Sequence, residues 1–355
     1  GGVSLFSSSQ NGVEGTRLVN VEMHEVTDCA GRTVRVPVIP QHIAAMDSFS
    51  GDVCVLAGAG ERMMGAPGGV LSNALLQRVY PDLTSLQQLS GNSINAEEML
   101  ASGVDVVFVK DELYQVGDEV AKLESLGIPY VVIGYATVEE QIDAIGVIAQ
   151  VIGGQAQERA DSLQTYYRDV VDLVEARAAN IPESQRKSVY HSINDALLTD
   201  GSGSLGSDWI TRTGAIDVSS QSQGKAGSGD YTATIEQVYT WDPDVVICNS
   251  LNAANDIRAS AQWQGIPAVS AGEVYNIPVS ASRWGQRGDP ETFLAMLWLG
   301  KTLYPEQYAD IDLKQTVITY YRDIVGVEIN DETWGQITAG EGIRVQGNGG
   351  NGDGM

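Results

Sequence analysis

The chain carries one short pattern twice, and this repetition constrains its fold more than any other feature. Glu97 lies eight positions before Asp105, which begins an Asp-Val-Val segment. Glu236 lies eight positions before Asp244, which begins a second such segment. The two copies are 139 positions apart (236 − 97 = 139, and 244 − 105 = 139). The repetition predicts two lobes of similar build, each presenting one of these glutamates.

A second repeat and the length of the chain agree with two lobes. The triplet Gly-Ile-Pro begins at Gly127 and again at Gly265, an offset of 138 (265 − 127 = 138). With 355 residues, the chain is long for a single hydrophobic core. We therefore expect two domains that share an architecture.

Apolar runs and amphipathic helices alternate along both halves. The segment 104–109 is almost continuously apolar, as expected of a strand that is covered on both faces. The segment 137–152 has apolar residues at helical spacing and ends at a pair of glycines. Alternation of this kind predicts an α/β fold with parallel, doubly wound sheets.

One long helix is predicted between the two halves. An apolar stripe runs from Ala156 to Ala179, and Pro182 ends it. At ~1.5 Å per residue such a helix spans roughly 35 Å, about the width of a domain. It is either a rigid connector or an ordinary surface helix. The predicted organisation is a flexible leader at 1–20, an amino-terminal lobe at 21–154, a connecting helix at 155–182, a carboxyl-terminal lobe at 183–339 and a disordered tail at 340–355.

Composition excludes several classes of function. The net charge of −25 argues against a nucleic-acid partner, because phosphate binding requires clustered Lys and Arg. No apolar run approaches the ~20 residues that span a bilayer. Cys29, Cys54 and Cys248 have no metal-ligand spacing, and at most one pair could form a disulfide. The start Gly1-Gly2 suits a mature exported protein or a tag remnant.

Established catalytic and nucleotide-binding motifs are absent from the sequence. It has no Gly-x-Ser-x-Gly and no His-Glu-x-x-His. The glycine-rich segment 200–206 lacks the pattern of phosphate-binding loops and is interpreted as a turn or as part of a cleft wall. No bound cofactor and no protein metal site are predicted.

The segment 282–290 is the most unusual polar stretch and the first candidate ligand site. Arg283 and Arg287 flank Trp284 in a loop bounded by glycine, between a predicted strand and a predicted helix. Guanidinium groups bind carboxylates and oxyanions in a bidentate manner, and Trp offers a flat apolar face. The alternative is a surface ion pair of Arg283 beside a partly buried Trp284.

The matching loops of the amino-terminal half are further candidates. Ser48 and Phe49 follow the first predicted strand, and Pro67 and Gly68 follow the next. In an open α/β sheet, loops at the carboxyl ends of the strands line the ligand crevice. These four residues are therefore expected to contact a ligand.

Glu97 and Glu236 are each predicted near the start of a helix. A glutamate there stabilises the helix dipole, typically by ~0.3–1 kcal/mol. That explanation covers either residue singly, but it does not explain why both occupy the same register of a repeat.

Several motifs in order resemble the substrate-binding proteins of ABC importers for iron–siderophore complexes, haem and vitamin B12, the class III periplasmic binding proteins. The resemblance spans about 21–306 and rests on segments 28–37, 126–132, 235–247 and 298–306. It implies two α/β lobes joined by one long helix, with a ligand in the cleft between them. It also implies that Glu97 and Glu236 dock onto arginines of the importer's membrane subunits.

The resemblance leads us to expect a monomeric, non-enzymatic carrier outside the cytoplasm. It would lie in the periplasm or on the outer face of the cytoplasmic membrane, with or without a lipid anchor. The first expected ligand is an iron–siderophore complex, and haem, a corrinoid or a metal oxyanion are the alternatives. A metal chelatase on the same scaffold is the rival hypothesis, and His191 is its candidate residue.

Overall fold

The computed structural model describes residues 21–221 and 229–343, together with the backbone of two short strands before them. These strands, β1 (Ser4–Ser7) and β2 (Thr16–Val19), pair antiparallel within the segment predicted to be a flexible leader. The rest of that leader, and the predicted tail beyond residue 343, lie outside the described residues.

An antiparallel hairpin opens the amino-terminal lobe, as the sequence predicted. Strand β3 (Met23–Thr27) pairs with β4 (Thr33–Pro37). The carboxylate of Asp28 orders the turn, since its Oδ1 accepts hydrogen bonds from the backbone N–H groups of Ala30 at 3.1 Å and Arg32 at 2.9 Å. Its Oδ2 accepts from the N–H of Val132 at 3.0 Å, which ties the hairpin to the main sheet.

The amino-terminal sheet is parallel and doubly wound. Its strands are β5 (Ile43–Ala45), β6 (Met63–Ala66), β7 (Gln87–Gln88), β8 (Val106–Lys110) and β9 (Tyr130–Ile133). They pair in the order β7-β6-β5-β8-β9, so the winding direction reverses between β5 and β8. Ligands of open α/β sheets bind at such a reversal, outside the carboxyl ends of the strands.

Seven helices connect and cover these strands. They are α1 (Ser48–Leu56), α2 (Gly68–Leu71), α3 (Ala74–Val79), α4 (Ala96–Ala101), α5 (Asp111–Val116), α6 (Asp118–Ser125) and α7 (Val138–Ile152). Short 3-10 turns lie at Gly60–Arg62 and Pro81–Ser85.

The predicted long helix is present as α8 (Gly154–Ala179) and joins the two lobes. Gly153 and Gly154 have φ values of 60° and 63°, and a Cβ on Gly153 would lie 2.2 Å from the carbonyl oxygen of Val38. Only glycine therefore allows the sharp turn between α7 and α8. The buried stripe of α8 contains the residues that the spacing predicted, including Leu163 and Tyr167. At ~1.5 Å per residue the helix is about 39 Å long.

The carboxyl-terminal lobe repeats the parallel design. Its strands are β10 (Ser188–Ser192), β11 (Leu198–Asp200), β12 (Ile216–Asp217), β13 (Asp230–Thr232), β14 (Val245–Cys248) and β15 (Val274–Asn276). The order β12-β10-β14-β15 is parallel throughout, and its winding reverses between β10 and β14. Strands β11 and β13 form a separate antiparallel pair.

Seven helices are present in the described residues of this half of the chain. They are α9 (Leu205–Arg212), α10 (Ile235–Trp241), α11 (Leu251–Ala259), α12 (Pro267–Ser270), α13 (Thr292–Leu303), α14 (Leu313–Tyr320) and α15 (Asp331–Ala339). Helix α14 continues into a π turn at Tyr321–Val325, and 3-10 turns lie at Glu183–Gln185 and Val218–Gln221.

Apolar side chains form one central core and two outer cores. The central core takes the inner faces of both sheets and the stripe of α8, and so it runs from one lobe into the other. One outer core lies beneath α4, α5 and α6, and the other lies beneath α10, α11 and α12. Within the described ranges, no helix combines the length and the apolar character needed to cross a membrane.

The first residues of the segment predicted to be a disordered tail, 340–343, are instead described and pack against the fold. Ile343 is buried, and its carbonyl oxygen accepts a hydrogen bond of 2.8 Å from the backbone N–H of Ala74. Nearby, the guanidinium of Arg78 donates to the hydroxyl of Thr333 at 3.0 Å. The last helix and the residues after it therefore fasten onto the amino-terminal lobe.

Candidate ligand-binding cleft

A cavity of about 410 Å³ lies where the carboxyl ends of β5, β8 and β9 face the other lobe. The residues that follow these strands line it, together with Asp230, Arg287 and Gly288 of the carboxyl-terminal lobe. This is the winding reversal of the amino-terminal sheet. The volume falls within the roughly 300–1,000 Å³ of small-molecule sites.

The start of α1 forms one wall of the cleft. Asp47 caps this helix, since its Oδ2 accepts a hydrogen bond of 2.9 Å from the N–H of Ser50. Its Oδ1 is buried and has no hydrogen-bond partner among the described residues. Burial raises the pKa of Asp47 above its ordinary value. The N–H groups of Ser48 and Phe49 belong to the first turn, where no intrahelical acceptor exists.

Lys110 and Arg287 bring two cationic groups to the cleft from opposite lobes. Lys110 ends β8, and in the described part of the chain its ammonium has neither an ion-pair nor a hydrogen-bond partner. Gly91 lies beside this ammonium, since a Cβ on it would be 3.6 Å from the Lys110 Nζ. The guanidinium of Arg287 forms an ion pair with the carboxylate of Glu112, which follows β8. This pair spans the cleft.

Other hydrogen bonds also join the lobes around the cleft. The hydroxyl of Tyr135 donates to the carbonyl oxygen of Arg287 at 2.6 Å. The N–H of Val138 donates to the Oδ2 of Asp208 at 2.8 Å. The ring of Tyr135 packs against Phe49, with centroids 4.7 Å apart. The lobes are therefore closed on each other.

A buried acidic pair supports the loop that carries Arg287. The Oδ1 of Asp289 accepts hydrogen bonds from the Ser282 hydroxyl at 2.5 Å and the Glu291 N–H at 2.8 Å, and its Oδ2 accepts from the N–H of Gly285 at 2.9 Å. Burial, reinforced by the nearby carboxylate of Glu291, raises the pKa of Asp289 to about 8. The loop is thus held by its own side chains rather than by a ligand.

Trp284 and Arg283 do not occupy the places that the sequence predicted for them. Trp284 has 0% of its surface exposed, and its Nε1 donates to the hydroxyl of Ser280 at 2.8 Å, so its face belongs to the core. The guanidinium of Arg283 donates to the carbonyl oxygen of Ile277 at 2.7 Å and to Asn276 at 3.3 Å. It fastens the loop to the end of β15 and is not part of the cleft lining.

The remaining predicted contacts lie together. Ser48, Phe49, Pro67 and Arg287 all line the cleft. Gly68 begins α2 beside Pro67, where a Cβ would lie 2.9 Å from the amide nitrogen of Gln88. It shapes the backbone next to the cleft and is not among the lining residues.

A buried polar network lies at the winding reversal of the other sheet. The Nδ1 of His191 is 3.0 Å from the Oδ1 of Asp200, and its Nε2 is 2.7 Å from the Oδ1 of Asn249. Burial alone would lower the pKa of His191, but the Asp200 carboxylate outweighs it and the pKa rises to about 9. His191 is 1% exposed and does not reach the cleft, which contradicts its assigned role in the chelatase hypothesis.

Asp230 connects this network to the cleft. It begins β13 and lines the cavity. Partial burial and the charge of Asp200 raise the pKa of Asp230 to about 6, and the same two causes raise the pKa of Asp217 to about 6. Among the described residues, no group of three or more His, Cys, Asp or Glu side chains is arranged to hold a metal ion. All three cysteines are free thiols.

Glu97 and Glu236 occupy matching positions on the two lobes. Each is exposed in the first turn of a short helix, α4 or α10, capped by the side chain of Asn95 or Thr234. Within the described residues, neither carboxylate has an ion pair or a hydrogen-bond partner. Each helix precedes a central parallel strand and runs back along it, so its first turn lies toward the cleft edge of the sheet.

Sequence reasoning missed Lys110, Glu112 and Tyr135. Lys110 is the last residue of β8, and Glu112 and Tyr135 lie two positions after the ends of β8 and β9, which the sequence had predicted as strands. The rule that singled out Ser48 and Phe49, namely that residues after parallel strands line a crevice, would have found them too.

Comparison with known proteins identifies relatives of the whole fold. The profile of the family described as "Periplasmic binding protein" matches residues 43–281. The Molybdate-binding protein MolA of Haemophilus influenzae is 24% identical over 328 residues, which cover 84% of this chain and 89% of the relative.

Solved structures show the same architecture. A periplasmic solute binding protein from Veillonella parvula superposes with a TM-score of 0.76 at 24% identity, covering 90% of this chain and 97% of that one. MolA bound to molybdate superposes with a TM-score of 0.75 at 23% identity, covering 86% of this chain and 99% of that one. These structures confirm the two-lobed α/β fold.

Proposed function

Because the chain belongs to the periplasmic binding protein family, we propose that it captures a small anionic metal species in the cleft between its lobes and delivers it to an ABC importer. Family members are extracytoplasmic transport proteins that partner with permease subunits. The first ligand we propose is a metal oxyanion such as molybdate.

The convergence of positive groups on the cleft carries this proposal. Lys110 contributes an ammonium that has no hydrogen bond or ion pair to the described residues, and Arg287 contributes a guanidinium from the opposite lobe. The first turn of α1 adds backbone N–H groups and the positive end of a helix dipole. An oxyanion between the lobes would interact with the ammonium, the guanidinium and the N–H groups of α1. It would thereby hold the two lobes closed.

The acidic groups of the cleft modulate anion binding rather than prevent it. The pKa values of Asp47 and Asp230 are both raised by burial, so a bound anion would draw protons onto them more readily. Glu112 pairs with Arg287 and occupies the position that an anionic ligand would take. We propose that the ligand displaces this carboxylate.

Similarity to MolA, a molybdate-binding protein, supports an oxyanion ligand. A ferric siderophore complex is the second candidate, and the cavity volume favours it. About 410 Å³ is more than a four-oxygen anion fills, so a larger anionic chelate is compatible with the same positive groups. Haem and corrinoids are larger still and would need the lobes to open.

We further propose that Glu97 and Glu236 dock the loaded protein onto the importer. Both are exposed, both lack a partner within the described residues, and each lobe supplies one of them. The monomer provides both contacts. The lobe limits proposed from the sequence, 21–154 and 183–339, leave α8 as the connector between them. A lipid anchor, if present, would precede the lobes.

Titration calorimetry tests the ligand proposal. The protein is titrated with molybdate, tungstate, sulfate, ferric siderophores, haemin and cobalamin, and the Lys110→Met/Arg287→Met variant is titrated in parallel. We expect one anionic metal species to bind at one site, and the variant to lose at least tenfold in affinity, since hydrogen bonds to charged groups contribute about 1.5–3 kcal/mol each. Arg322→Met, which alters an arginine that pairs with the neighbouring Asp323 outside the cleft, is the matched control. Binding of none of these ligands would refute the proposal.

A further inference from the structure

Large apolar side chains accompany both docking glutamates. Among the described residues, six large hydrophobic side chains are exposed, and two of them are Leu100 and Tyr239. Leu100 lies three positions after Glu97, and Tyr239 lies three positions after Glu236. The 139-residue offset of the glutamates therefore applies to the apolar residues as well.

On α4, the repeat separates a buried side from an exposed side. Ala96 and Met99 are 5% and 2% exposed and pack into the outer core of their lobe. Glu97 is exposed, and Leu100 is 51% exposed. Residues three apart are neighbours on a helix surface, so Glu97 and Leu100 form one continuous patch of charge and hydrocarbon.

Helix α10 presents the same arrangement. Ile235 and Val238 pack into the other outer core, at positions 139 residues after Ala96 and Met99 (235 − 96 = 139, and 238 − 99 = 139). Glu236 is exposed, and Tyr239 is 42% exposed. All four positions of the turn thus match between the lobes, two inward and two outward.

The ring of Tyr239 is held in its exposed position. Its hydroxyl donates to the carbonyl oxygen of Gln262 at 2.7 Å. A Cβ on Gly265 would lie 2.4 Å from the same hydroxyl, so the glycine of the repeated Gly-Ile-Pro triplet leaves room for it. A fixed aromatic side chain loses little conformational entropy when a partner covers it.

An exposed hydrophobic residue alone needs no explanation. Leu100 and Tyr239 do need an explanation, because each lies on the exposed side of a matching helix. Each also lies beside a glutamate that has no partner among the described residues. Fold stability accounts for the Tyr239 hydroxyl, which donates to the carbonyl oxygen of Gln262. It does not account for the exposed hydrocarbon of the two side chains, because the inward members of each turn already supply the packing.

We propose that Leu100 and Tyr239 are the apolar anchors of the contact with the importer. Each patch (Glu97 with Leu100, and Glu236 with Tyr239) enters a pocket where a basic group lies beside an apolar surface, one on each of two like membrane subunits. A basic partner complements a chain of net charge −25. This inference rests on the proposed function, because it specifies how the same two lobes meet the same importer.

The two halves of each patch have separable kinetic roles. Exposed charges at an interface mainly accelerate association, and salt screens their effect. Apolar anchors that become buried mainly slow dissociation and tolerate salt. The glutamates therefore guide the encounter, and Leu100 and Tyr239 set the lifetime of the complex.

Kinetic binding to the cognate importer in lipid nanodiscs tests this division, at low and at high salt. We expect Leu100→Ser/Tyr239→Ser to dissociate on the order of tenfold faster at both salt concentrations, as for interface hot spots. Glu97→Gln/Glu236→Gln should associate more slowly at low salt only. Ligand affinity should be unchanged in both variants.

Two controls make the test specific. Val116→Ser alters an apolar residue that is 67% exposed but lies outside the repeat, and it should bind the importer like the wild type. Tyr239→Phe keeps the ring but loses the hydroxyl bond to Gln262, so it should dissociate faster than the wild type but more slowly than Tyr239→Ser. Wild-type dissociation from Leu100→Ser/Tyr239→Ser, with the glutamate variant impaired, would overturn this inference and leave the proposed function intact. Failure of the wild-type protein to bind the importer would overturn both.

Discussion

Asp105 and Asp244 make the same structural contact in the two lobes. The carboxylate of Asp105 accepts hydrogen bonds from the backbone N–H groups of Gln41 at 2.8 Å and His42 at 3.1 Å, just before β5. The carboxylate of Asp244 accepts from the N–H of Ser188 at 2.8 Å, at the start of β10. Each aspartate directly precedes a central strand and fixes the start of the strand beside it. The repeated Asp-Val-Val segment is therefore a structural element of both sheets.

Removing either aspartate should destabilise the fold by a similar amount. We expect Asp105→Ala and Asp244→Ala each to lower the free energy of unfolding by roughly 1–3 kcal/mol, because backbone donors lose their acceptor. Urea unfolding measures this change. Asp256→Ala, at an exposed position within α11, should change stability by less. A negligible effect of both strand variants would contradict the structural role.

Glu112→Gln should increase affinity for an anionic ligand. The substitution removes the carboxylate that pairs with Arg287 and one negative charge from the cleft. We expect about tenfold tighter binding, since one favourable charged contact no longer has to be broken. Calorimetry with molybdate measures the change, and Glu124→Gln, outside the cleft, is the control. Weaker binding by Glu112→Gln would show that Glu112 helps to hold the ligand.

Tyr135→Phe should shorten the lifetime of the ligand complex. It removes the hydroxyl that donates to the carbonyl oxygen of Arg287 across the cleft but keeps the ring against Phe49. One hydrogen bond contributes about 1 kcal/mol, so we expect roughly fivefold faster ligand release. Stopped-flow measurement of dissociation tests this, with Tyr114→Phe, outside the cleft, as control. Unchanged release would mean that this bond does not limit opening.

His191 should make stability fall at alkaline pH. Its pKa is about 9 in the folded protein against an ordinary value of 6.5, so folding favours the protonated ring. This contribution is fully present below pH 6.5 and is lost as the pH rises through about 9. The full shift corresponds to about 3 kcal/mol.

Urea midpoints measured from about pH 6 to about pH 9.5, a range that includes the ordinary and the raised pKa of His191, show this dependence. His191→Asn should be less stable at neutral pH and should show a flatter profile. If the stability of the wild type and of the variant falls equally with rising pH, groups other than His191 cause the loss of stability.

The sequence predicted the central strands and α8 well, because their apolar pattern is long and unambiguous. The segment 104–109 and the stripe around Leu163 are examples. The short strands β11, β12 and β13 were not predicted, since two or three residues carry no recognisable alternation. Their pairing depends on contacts with distant parts of the chain.

The site was harder to predict because a loop sequence does not show which side faces the core. Trp284 was expected to contact a ligand, yet its loop packs closely against Trp209. Trp209 donates from its Nε1 to the carbonyl oxygen of Gly285 at 3.0 Å, and a Cβ on Gly285 would lie 2.7 Å from the Trp209 ring. This close approach turns Trp284 inward and Arg287 outward. Only the packed structure contains that information.

Anomalous diffraction at the metal absorption edge would show whether an anionic metal species binds in the cleft between Lys110 and Arg287. Crystals are grown with the metal species that binds most tightly in calorimetry, molybdate being the first choice. We expect one strong peak inside the cleft, in contact with Lys110 and Arg287, with Glu112 turned away from the guanidinium. A peak outside the cleft, or a ligand in the cleft that leaves the Arg287–Glu112 pair intact, would refute the proposed binding site.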